Sequence, residues 1–94
     1  MGVIRFEWDE TKNQSNIRKH QVSFGEAKSV FYDPNALLIH DPDHSEDEDR
    51  FVMLGMTEQL RLLIVCHCYR EDDEIIRLIS ARKANTAEKM QYGG

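Results

Sequence analysis

The 94 residues predict an α+β domain, with helices first and a small antiparallel sheet after them. Three observations carry that reading. Helix-start signals fall in the first third, Asp9 ahead of ETKNQ and Ser23 ahead of FGE. From Ala36 onward helical spacing gives way to short runs rich in Ile, Leu, Val and Phe. Those runs follow one another directly across polar turns, as an antiparallel meander does.

Each element has its own signal. IRFEW (4–8) is β-branched and aromatic enough for a first strand. Asp9 caps a helix through about His20, in which Ile17 is the only large aliphatic residue, so this helix depends on its neighbours. Ser23 and Glu26 form a capping-box pattern, and Phe24, Ala27, Val30 and Phe31 share one face of a second helix through about Tyr32. Asp33-Pro34-Asn35 stops it. Strands are expected at 36–40, 50–55, 61–69 and 74–82, with MTEQ joining the second and third and a turn at 71–73 before the last. Thr86 caps a short final helix through Tyr92. The predicted order is β-α-α-β-β-β-β-α.

Ninety-four residues make one domain, 1–94. With 40% hydrophobic and 31% charged residues the composition is globular. No run of 18 apolar residues spans a membrane, and MGVIRFEW lacks the apolar core of a signal peptide, so the expected location is cytoplasmic. Cys66 and Cys68 read as buried thiols: C-x-C without a second ligand pair makes a poor zinc half-site. The net charge of −5 is unevenly spread. Residues 41–49 hold six acids and no Lys or Arg, and 71–74 hold four more. The remainder sets 12 cations against 7 acids, a balance of +5, which suits an anionic partner.

The stretch RLISARKA (77–84) raises the question of site. It reads as a strand, yet carries Arg77, Arg82 and Lys83. A three-residue turn at 71–73 would place Arg70 opposite Glu74, Cys68 opposite Ile76 and Cys66 opposite Leu78. Those residues, with Leu62 and Ile64, would form the core side. His67 would then oppose Arg77 on the second face, with Tyr69 beside them. The plainer account of that face is a half-solvated surface whose arginines lie over apolar neighbours.

FEWDETKNQSNIRKHQVSFGEA, DPDHSEDEDRFVMLG and RLISARKA, in this order, resemble the BrnT family of type II toxin–antitoxin toxins, from Phe6 to Tyr92. The family pattern carries Gly after Lys-His, where this chain has Gln21. The resemblance implies a RelE/ParE-like fold, with N-terminal helices laid on one face of the sheet. It implies a ribonuclease that inhibits translation without metal or other cofactor. It further implies a BrnA-type ribbon-helix-helix antitoxin, through which operator DNA is bound. Metal-free RNA cleavage uses the 2′-hydroxyl as nucleophile; it needs a base, an acid, and positive charge on the phosphorane-like transition state. Arg77 and Arg82 are the expected phosphate-holding catalytic residues and His67 the proton-transfer group. Lys19, His20, Arg50 and Lys83 are expected to bind flanking RNA. The alternatives are a non-catalytic ParE-like module that grips a protein target, and a structural partner whose basic face only docks an antitoxin tail.

Overall fold

Asparagine, and not an apolar stripe, holds the first helix to the sheet. In the computed structural model, which describes residues 4–40, 50–72 and 74–93, β1 (Arg5–Glu7) precedes α1 (Glu10–His20). The buried residues of α1 are Asn13 and Asn16. Asn13 accepts a hydrogen bond from the Phe24 amide at 2.8 Å. Asn16 donates to the carbonyls of Val22 (2.8 Å) and Ala81 (2.9 Å) and accepts from the Ala81 amide (3.1 Å). One side-chain amide therefore satisfies both backbone groups of a strand residue, as a neighbouring strand would. Asn16→Ala leaves all three groups without this partner, and should cost about 2 kcal/mol, read as a lower melting temperature. An unchanged melt would show that water replaces the clamp at no loss.

Asp9 caps α1, accepting from the Lys12 amide, and Gln21 ends it in the left-handed region (φ 57), its N–H bonded to Ile17. A Gly at this position would adopt that backbone without strain. Ser23 caps α2 (Phe24–Ala27), accepting from the Glu26 amide. The expected reciprocal bond is not how Glu26 is used: its carboxylate binds Thr57 Oγ1 (3.0 Å) and Arg61 Nε (2.8 Å). Arg61 holds this carboxyl below the usual range, and so clamps the β3–β4 connection onto α2. The second helix tightens after Ala27 into a 3₁₀ helix over Lys28–Tyr32.

The sheet contains β1, β2 (Leu37–His40), β3 (Phe51–Met56), β4 (Leu62–Arg70) and β5 (Ile75–Lys83), in the spatial order β1-β5-β4-β3-β2. The meander β2 to β5 is antiparallel as expected, but β1 pairs with β5 in parallel, Phe6 beside Ile76, so the sheet is mixed. Its helix face carries the main core: Val22, Phe24, Ala27 and Val30 against Leu63, Val65, Ile76, Leu78 and Ala81. Trp8 packs here, edge-on to Phe24 at 6.0 Å.

The other face is not left bare. Leu54, Ile64 and Ala84 form a second cluster with Val52, Leu62 and Tyr92, so α3 (Thr86–Tyr92) covers part of that side. Its cap is Asn85, one residue before the predicted Thr86, with a full capping box to Glu88. No helix among the described residues is long and apolar enough to cross a membrane. The acidic stretch 41–49 lies outside the described residues.

Candidate functional site

Two irregularities in the β4–β5 hairpin decide which side chains meet. The first is the turn. Arg70 pairs with Ile75, so four residues connect the strands instead of three; Glu71 and Asp72 take positive φ. Cys68 then pairs with Arg77 and Tyr69 with Ile76. The expected pairing of His67 with Arg77 is therefore incorrect, and the β4 faces are the reverse of those predicted. Leu63, Val65, His67 and Tyr69 point to the helices, whereas Ile64, Cys66 and Cys68 lie on the far face.

The second is a bulge. Cys66 pairs with Ser80 but His67 with Leu78, which leaves Ile79 as the extra residue on β5. Before the bulge Ile76 and Leu78 enter the core; after it, Ala81 does. Strict alternation from Ile76 and Leu78 would have driven Arg82 into that core as well. The inserted residue turns Ser80 and Arg82 to the far face, and this answers how one apolar strand carries its cations.

On the far face lies a cleft of about 330 Å³. Val52, Ile64 and Cys66 give it an apolar floor, and Ile79 and Ser80 of the bulge form one side. His20, Arg50 and Arg82 supply its basic groups. His20 comes from the last turn of α1, which Asn16 fastens to Ala81, next to Arg82. Arg82 is gripped by Glu88 through Nη1 (2.9 Å) and Nη2 (2.8 Å). The guanidinium holds the Glu88 carboxyl below the usual range, and the carboxylate pushes the Arg82 guanidinium still higher.

Three of the sequence-predicted residues, His20, Arg50 and Arg82, thus line one cleft. The others do not line it. Arg77 shares the far face but donates to Glu7 at 2.8 Å, a carboxylate that also lies 3.6 Å from Arg70. Lys19 and Lys83 are exposed, and the charge of Lys83 acts on Glu26 of α2. His67 is fully buried among Phe31 (ring centroids 4.7 Å), Phe51 and Tyr69. Its Nδ1 lies 3.1 Å from the Val65 carbonyl and its Nε2 3.3 Å from the Tyr69 hydroxyl. Burial pushes this imidazole below its ordinary pKa.

Sequence reasoning missed Glu88, Ser80 and the exposure of Cys66 to the cleft. The Asn85-x-x-Glu88 spacing was a legible signal for Glu88; the bulge had none. Tyr92, the last residue of α3, donates to Asp33 at 2.6 Å and ties the helix down.

A family model described as the ribonuclease toxin BrnT of type II toxin–antitoxin systems matches residues 8–88. The chain is also similar to a solved structure, the 1.1 Å crystal structure of the Brucella abortus ribonuclease toxin BrnT. The two are 26% identical, the match covers 89% of this chain and 100% of that one, and the TM-score is 0.66. No curated protein matches the chain.

Proposed function

The chain belongs to the BrnT family of ribonuclease toxins of type II toxin–antitoxin systems, and from that premise we propose that it cuts RNA in the cleft bounded by His20, Arg50 and Arg82. The observation that carries this reading is the convergence itself: a helix end, the start of one strand and the end of another deliver those three side chains to one concave surface. Arginine is suited to a phosphodiester because its planar fork matches two phosphate oxygens. In this reading Arg82 and Arg50 hold the scissile phosphate and stabilise the charge that builds on it. The 2′-hydroxyl attacks the adjacent phosphorus, the bond to the 5′-oxygen breaks, and a 2′,3′-cyclic phosphate is left. His20 is the cleft's imidazole and the group we assign to proton transfer, in place of the enclosed His67.

The positive charge this chemistry requires comes from side chains, which supports a reaction without metal. Family membership implies an antitoxin partner. We propose one of the BrnA type, with a ribbon-helix-helix domain that carries operator DNA and a segment that covers this cleft. The test is RNA cleavage by the purified chain and by His20→Ala and Arg50→Ala. Each variant should cleave at least about tenfold more slowly with an unchanged melt. Parent-like cleavage by both would move the site elsewhere.

A further inference from the structure

We infer that Glu88 is a positioning residue for RNA cleavage: it fixes Arg82 so that only the Nε–Nη2 edge of the guanidinium is left to grip a phosphate. The inference rests on the cleft reading above and deepens it. A guanidinium has five N–H donors. Nη1 donates to Glu88 Oε1 (2.9 Å) and to the Lys83 carbonyl (3.3 Å), and Nη2 donates to Glu88 Oε2 (2.8 Å). Among the described residues, three donors are thereby used. The remaining two are the Nε–H and the second hydrogen of Nη2, which lie side by side along one edge of the planar group. That edge is a fork, the shape that takes two oxygens of one phosphate.

Glu88 is itself held firmly enough to act as a jig. Its Oε1 accepts the Asn85 amide at 2.8 Å, and Asn85 Oδ1 accepts the Glu88 amide at 2.8 Å. The first turn of α3 therefore has a double role, closing its own cap and setting the angle of a cleft arginine. Its far end is tied by the Tyr92–Asp33 bond. The Glu88 side chain is about one-fifth exposed, against 43% for Arg82, so the carboxylate sits behind the guanidinium relative to solvent. A cation fixed this way has given up its rotamer freedom before RNA arrives, which favours the bond-breaking step. The carboxylate also opposes the approach of a polyanion, so the same contact does nothing for capture.

That asymmetry supplies the test. Glu88→Gln keeps a competent capping-box residue but accepts the fork through one oxygen only. In steady-state cleavage of a single-stranded RNA oligonucleotide by the full chain, kcat should fall about tenfold or more, as for other residues that orient a functional group. KM should stay level or drop. On an Arg82→Ala background the same change should slow cleavage no further. Should Glu88→Gln fail to fold, Glu88→Asp carries the comparison, since its shorter carboxylate draws the fork back while keeping the charge. The inference is overturned if Arg82→Ala is crippled while the Glu88 variant has the parent kcat, or if its loss persists without Arg82. If Arg82→Ala itself cleaves like the parent, the cleft reading fails first, and the two failures are distinct.

Discussion

Arg82→Ala should slow RNA cleavage by about 10²–10³-fold and leave the fold in place. The rate effect follows from where the charge stands. Arg82 lines the cleft, its guanidinium pre-set by Glu88, and loss of a fixed donor to a developing oxyanion typically costs that much. The stability effect is small for a separate reason. The Arg82 side chain is 43% exposed, and an ion pair of that kind contributes only up to about 1 kcal/mol. Arg82→Lys should recover part of the rate, since a point charge meets the phosphate but not through two parallel bonds. Arg77→Ala is the control on the same strand. Its guanidinium lies outside the cleft and neutralises Glu7, so its effect on cleavage should be much the smaller. RNA 5′-end yield and thermal melting, measured on all three variants, decide the matter. Equal losses for Arg77→Ala and Arg82→Ala would mean that the RNA runs along the whole strand and that the cleft is only its end.

The element order and the α+β class were legible because they rest on local signals. Asp9 and Ser23 are short-range caps, and the change of periodicity near Ala36 is visible within a ten-residue window. What failed was parity, which is not local. A four-residue connection in place of three moves every β4 side chain to the opposite face, and EDDE holds no glycine to fix the turn length. The bulge at Ile79 then reverses β5 halfway along. The parallel pairing of β1 was hidden as well, because its partner lies some seventy residues away in sequence. Of the predicted site, His20, Arg50 and Arg82 converge. They sit at or near element ends, where a one-residue error matters less than in mid-strand. His67 sits in the middle of a strand, where its role depends on the face, and an imidazole's near-neutral titration does not reveal that face.

His67→Ala should therefore read out as a folding defect, a loss of about 3 kcal/mol of stability. The ring fills a fully enclosed space between Phe31, Phe51 and Tyr69, so truncation opens a cavity and removes aromatic contacts at 4.7 and 5.2 Å. It also removes the ring's bonds to the Val65 carbonyl and the Tyr69 hydroxyl. For a domain of this size such a loss lowers the melting temperature by on the order of 10–20 °C. His67→Phe separates volume from polarity: it keeps the ring contacts and should cost about 1–2 kcal/mol. The two variants also remove a titration. Burial holds the folded pKa below the ordinary 6.5, so the unfolded chain takes up the proton first. The stability that comes from the neutral, buried ring is thus complete above about pH 6.5 and falls away as the pH drops below it, towards the lower folded value. The parent should lose melting temperature over that acidic window, and His67→Phe should lose less of it. Cleavage distinguishes this role from the one first expected of the residue. If His67→Phe stays folded and cuts RNA, the ring is a core element with a proton-sensitive cost. A folded His67→Phe that cannot cut would bring the imidazole back into the reaction, and would require the Phe31–Phe51–Tyr69 enclosure to open during turnover.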